Sequence, residues 1–140
     1  MLTALERDLR LAQREIAEGW GTAIARRGVV VDKERGKGIR PALEMVRRSA
    51  GDEPCAFADK VLGLAAFRLG RALGAKVMWG EMASSLAVYE GRQRGIEVRY
   101  HTLVPSIMDA QLENLCPMER LAFAIPDDLG FTEHVDRIAC

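Results

Sequence analysis

Residues able to do chemistry gather at four places in this 140-residue sequence where a helix can begin. Cys116-Pro117-Met118-Glu119 sets a thiol at a helix start, where unsatisfied amides and the positive end of the helix dipole favour the thiolate. Pro117 pre-sets the first turn without wasting a donor. This suits a nucleophilic cysteine with Glu119 as proton carrier; the plain alternative is a cap residue whose Glu119 folds back onto the first turn. Asp59-Lys60 pairs a carboxylate with an ammonium ahead of an apolar run. There Lys60 can stabilise developing negative charge and Asp59 can carry a proton, or the pair is an N-cap and a surface lysine. In Gly36-Lys37-Gly38-Ile39-Arg40-Pro41 the glycines allow close backbone approach beside two cations, which suits a phosphate or carboxylate held at Gly38 and Arg40. The Walker pattern is not present, since no Gly-Lys-Ser/Thr occurs. Ser84 and Ser85 follow Gly80-Glu81-Met82-Ala83 and serve as ligand contacts or as caps. The two histidines, His101 and His134, do not adjoin Cys116 in the sequence, so a general base must come from elsewhere in the fold.

The elements that must position these residues are readable from periodicity. Leu2, Leu5, Leu9, Ala12 and Ile16 lay one apolar stripe along an N-terminal helix that starts at a Thr3/Glu6 capping box and ends near Trp20. Thr22 to Arg26 and Val29 to Asp32 read as a hairpin turning at Arg27-Gly28. Pro41 opens a helix through about Arg48, with Leu43 and Val46 on its core side. Cys55 to Ala58 reads as a short strand, Asp59 as the N-cap of a buried helix from Lys60 to about Leu73, Lys76 to Trp79 as a strand, and Met82 to Arg94 as a helix stopped by Gly95. Ile96, Val98 and Tyr100 alternate with Glu97, Arg99 and His101, the pattern of a strand with one wet face near a sheet edge. A last helix runs from Pro117 to about Ile125. Residues 127–140 read as an acidic tail with at most one weak helix. Ile107 to Leu115 fits no single pattern. This β-α-β-α rhythm favours a largely parallel sheet with helices on its faces.

Composition narrows the function. Lys plus Arg 20 against Asp plus Glu 20 gives zero formal net charge, which argues against a nucleic-acid or membrane-surface binder. With 49% hydrophobic residues the chain can bury a single core that needs neither disulfide nor structural metal. The start is charged by Glu6 and Arg7 and lacks an export signal, and no apolar stretch reaches membrane-spanning length, so a cytoplasmic protein is expected. Cys55, Cys116 and Cys140 are an odd set without a Cys-x-x-Cys pair. The first half holds a mild basic excess and is the expected anion-binding side.

Gly38-Ile39-Arg40-Pro41-Ala42-Leu43, Ala58-Asp59-Lys60-Val61-Leu62-Gly63-Leu64-Ala65-Ala66, Gly95-Ile96-Glu97-Val98-Arg99-Tyr100 and Cys116-Pro117-Met118-Glu119 together resemble the domain-of-unknown-function family 1893, in order and spacing from about Thr22 to Glu119. The resemblance implies the cytidine deaminase-like superfamily: a three-layer α/β/α sandwich around a mixed sheet of about five strands. It does not carry the reaction with it. Zinc deamination needs a His, Cys or Asp ligand with a Glu two residues on, then Cys-x-x-Cys at the next helix start. Asp59 takes the first ligand's place, but Val61 stands where the Glu belongs and the segment Glu81 to Ser85 has no cysteine. Family members tend to carry Asn-Arg shortly before the Cys-Pro-Met-Glu run, where this chain has Asp109-Ala110.

The expectation is therefore a single deaminase-like domain, with helix 1–20, core 22–125 and tail 127–140. It would bind a small anionic or nucleotide-like ligand without a metal, using Asp59, Lys60, Cys116 and Glu119 for any chemistry and Gly38, Arg40, Ser84 and Ser85 as contacts. A non-catalytic sensor or interaction module is the alternative. A zinc hydrolase on Asp59, Cys116 and Glu119 is a third reading. No nucleic acid or membrane partner is expected, and a helix stripe left exposed would support a homo-oligomer.

Overall fold

In a computed structural model of the chain, residues 2–108, 116–125 and 128–138 are described. Helix α1, Ala4–Ala17, starts at the expected capping box: the Glu6 amide donates to Thr3 Oγ1 at 3.1 Å and the Thr3 amide to Glu6 Oε2 at 3.4 Å. The hairpin β1, Thr22–Arg26, and β2, Val29–Glu34, turns at Arg27 and Gly28, both in the left-handed region at φ 54° and 79°. The Gly28 amide donates to the buried Asp8 carboxylate at 2.8 Å, which pins that turn to α1.

After α2, Arg40–Ser49, the chain alternates strand and helix: β3, Cys55–Leu62; α3, Leu64–Ala72; β4, Ala75–Ser84; α4, Ser85–Gln93; β5, Glu97–Val104. The sheet order is β2-β1-β3-β4-β5. β1 runs antiparallel to both of its neighbours, whereas β3, β4 and β5 run parallel, so this is a mixed five-stranded sheet with β5 at one edge. Among the described residues, helix α1 alone covers one face, with Leu9, Ala12 and Ile16 against the small Ala23, Ala25, Ala56 and Ala58. Its apolar stripe is used on the chain's own sheet. The other face carries the larger core, where Ile24, Phe57 and Met78 meet Leu43, Met45, Phe67 and Leu69 of α2 and α3.

Two further helices pack on α3: α5, Pro117–Ala124, and α6, Asp128–Ile138. Residues expected to trail as an acidic tail thus fold against the core, since Phe131 and Val135 are fully buried there. Their separation of four residues, one helical turn, is the reason. Among the described residues no helix is long and apolar enough to cross a membrane.

Candidate functional site

The carboxyl ends of β3 and β4 lie further along the chain than the sequence suggests. Asp59 is not an N-cap but a strand residue, because β3 continues to Leu62 in parallel register with β4, Asp59 beside Gly80 and Leu62 beside Ala83. The ladder bonds gained by extending the strand outweigh the capping preference of a single aspartate. Ser84, rather than a residue near Met82, ends β4 and caps α4, its hydroxyl accepting the Ala87 amide at 3.1 Å.

Asp59 is 4% exposed. Its Oδ1 accepts the Val61 amide at 3.0 Å, and burial pushes its carboxyl up to about 7, against the opposing pull of the hydrogen bonds from Val61, Thr22 and Lys60. Beside it the Lys60 amide donates to the Gly21 carbonyl at 3.1 Å, while the Lys60 side chain is exposed. Asp59, Lys60 and Val61 with Gly21, Gly36, Lys37 and Gly38 line a cavity of about 220 Å³. A Cβ on Gly21 would lie 2.6 Å from the Gly36 carbonyl oxygen, so glycine lets the two backbones meet there.

A second cavity, also about 220 Å³, shares Gly38 and Val61 with the first and is bounded further by Gly63, Ala65, Cys116, Met118 and Glu119 among others. Cys116 is the N-cap of α5 and half-buried, but its side chain makes no capping bond; its amide donates to the Ile107 carbonyl at 2.9 Å. Glu119 does not fold back on its own helix either. It reaches α3, where Oε2 accepts the Leu64 amide at 2.8 Å and Oε1 the Ala65 amide at 2.7 Å. The N-cap of α3 is Gly63, which has no side chain to offer, so a carboxylate from another helix satisfies those amides. Burial raises the Glu119 carboxyl above its ordinary value, with the two amides and Arg68 pulling the other way.

The expected site residues thus divide. Asp59, Lys60 and Gly38 line the first cavity, the polar lobe, and Cys116, Glu119 and Gly38 the second, the apolar lobe, with Gly38 and Val61 bordering both. Arg40, Ser84 and Ser85 line neither lobe: Arg40 is exposed on the first turn of α2, Ser84 is a buried cap, and the exposed Ser85 hydroxyl lies 3.5 Å from the Val104 carbonyl. His101 is exposed on β5 and His134 half-buried on α6, and neither lines the lobes. Asp109 and Ala110 lie outside the described residues, as do Cys140 and most of the Ile107 to Leu115 segment.

The described residues do not assemble the zinc site that the sequence leaves open. Among the described residues no three His, Cys, Asp or Glu side chains are grouped to hold a metal ion, so the set Asp59, Cys116 and Glu119 is not assembled. The starts of α2, α3 and α4 carry Ile39, Gly63 and Ser84 at their cap positions, and both Glu119 oxygens are occupied by amides.

Lining residues outside the expected set include Lys37, Val61, Gly63, Ile107 and Met118. Lys37 sits inside a quoted glycine motif, and Gly63 precedes an apolar run, which is a cap signal once the strand is allowed to reach Leu62. Met118 lies inside the Cys-Pro-Met-Glu motif, and Ile107 carries no signal.

No curated protein matches the sequence. A solved structure of a DUF1893 family protein (TM1506) from Thermotoga maritima superposes with a TM-score of 0.80 over 96% of this chain and 94% of that one, at 18% identity, which is a likeness of fold. The family model described as a domain of unknown function (DUF1893) matches residues 11–137, nearly the whole length, and the chain belongs to that family.

Proposed function

We propose that this protein binds a small molecule made of an apolar body and an anionic group in the two-lobed cleft, without a metal. The reading rests on Gly38 and Val61 bordering both lobes, and it takes the two as one cleft open to a single ligand. The apolar lobe, with Ile39, Val61, Ala65, Ala66, Ile107 and Met118, offers a body little but dispersion and water exclusion. Lys37 and Lys60 at the polar lobe supply positive charge on exposed side chains, which suits a phosphate or carboxylate. The mixed sheet with helices on both faces is compatible with the cytidine deaminase-like architecture, taken here without its reaction. Calorimetry with adenosine monophosphate in chelator tests the proposal. Binding is expected in the wild type and should weaken about tenfold in the Lys37→Ala/Lys60→Ala double variant. Absence of binding, or binding indifferent to both lysines, would sink it.

A second reading is covalent chemistry at Cys116, favoured by its thiol at a helix N-cap, free of a capping bond and lining the apolar lobe. Lys60 would then stabilise negative charge and Asp59 would carry the proton, since both Glu119 oxygens are held by the Leu64 and Ala65 amides. Alkylation followed by mass spectrometry across pH separates the two. Catalytic use of Cys116 predicts modification well below the ordinary thiol pKa of about 8.5. Cys55, buried and pushed up to about 11, stays unmodified as the internal control. Ordinary titration of Cys116 leaves the protein as a binding module.

A further inference from the structure

The polar lobe contains a group that an anion site alone does not need. Asp59 lines it together with Lys37 and Lys60, yet its side chain is almost wholly buried, and the groups acting on it are neutral: the Val61 and Lys60 amides and the Thr22 hydroxyl. The flanking strands face it with Thr22 from β1 and Gly80 from β4, neither of which titrates, and the glycine loop adds only the exposed Lys37. A buried carboxylate without a cationic partner is costly to ionise, and a cavity beside it is where a partner can arrive.

We infer that Asp59 is a specificity-determining residue of this cleft, selecting ligands that present an N–H donor group, an amidine or a ring-bound amino group, at the polar lobe. The assignment rests on the cleft reading above and adds to it. The lysines favour an anionic group without regard to what else the ligand carries, whereas a carboxylate accepts hydrogen bonds and repels acids. The ligand class is then one bearing both an anionic group and an N–H edge on its apolar body. Only the ionised Asp59 offers two acceptor oxygens, so an amidinium must displace the Asp59 proton to bind, and its affinity rises with pH.

Benzamidine is the test probe, a flat apolar ring carrying an amidinium, with benzoate as the matched acid. Binding is followed by amide chemical-shift titration at about pH 5.5 and about pH 8. Benzamidine is expected to bind tenfold or so more tightly at the higher pH and to lose about tenfold at that pH in Asp59→Asn, while benzoate loses nothing in the variant. Circular dichroism on the variant shows whether it is folded; should it not be, the pH dependence in the wild type decides alone. Benzamidine that fails to bind, or binds equally at both pH values, overturns the assignment, as does a folded variant that binds it like the wild type. If adenosine monophosphate still binds through Lys37 and Lys60 in that event, only the role of Asp59 falls; if it does not, the cleft reading falls with it.

Discussion

Above neutral pH the Asp59→Asn variant is expected to resist urea better than the wild type, and near pH 4 the two should unfold alike. The Asp59 carboxyl rests at about 7 in the fold against an ordinary 3.8, so the folded chain holds a proton that the unfolded chain has released. A group raised in this way contributes stability that is present in full below the unfolded pKa and is lost as pH rises through the folded one. The wild type therefore weakens from about pH 4 to about pH 7 and then levels off, by at most ~4 kcal/mol for a shift of about three pKa units. The amide of the variant never ionises and can keep an oxygen for the Val61 amide, so it avoids that loss. Urea midpoints across the range check this, and a difference independent of pH would mean that Asp59 ionises as it does in water.

The second large effect is at Glu119. Its removal in Glu119→Ala leaves the Leu64 and Ala65 amides at the start of α3 buried without an acceptor and takes away the side chain that joins α5 to α3. The expected loss is about 3 kcal/mol, with Glu119→Gln losing less because one oxygen still accepts. Glycine at 63 makes room for this carboxylate, since a Cβ there would lie 2.6 Å from Glu119 Oε1. Because burial raises this carboxyl too, its contribution is greatest at low pH and declines upward through its folded pKa. The variant's cost is therefore larger near pH 4 than near pH 8. Denaturant midpoints of the three proteins at both pH values test it, and an unchanged midpoint in Glu119→Ala would deny the carboxylate any part in holding α3.

Local signals made α1, the β1–β2 hairpin and α2 legible: a stripe with a capping box, a left-handed turn at Arg27-Gly28, and Pro41 in a first turn. The boundary at Asp59 was lost because Ala-Asp-Lys before an apolar run has the same local look whether the chain coils or stays extended. The pairing of Leu62 with Ala83 decides it, and that partner lies far along the sequence. The same holds at α4, where the apolar pattern starts at Met82 but strand pairing carries β4 to Ser84, which caps the helix. In the site, Cys116 and Glu119 stand out as a motif, but the partner of Glu119 does not, since a cap supplied from 55 residues away leaves no trace in spacing. Phe131 and Val135 were readable as a turn of buried helix, but the acidic residues around them suggested a tail.

The place of the cleft follows from the direction of the strands. β3 has an antiparallel neighbour on one side and a parallel one on the other, and β1 has its first residue opposite Asp59, where the ladder between them stops after the Lys60 amide meets the Gly21 carbonyl. Beyond that point β3 advances beside β4 alone, and the chain entering β1 from Trp20 departs from it. Past that last rung the two strands part, and the cavity bordered by Gly21 and Asp59 lies where they do. Exchange of Lys37, Lys60 or Asp59 would thus change what the crevice accepts while leaving the crevice in place. Selectivity in this architecture can drift from one chain to another while the opening itself is kept by the wiring of the sheet.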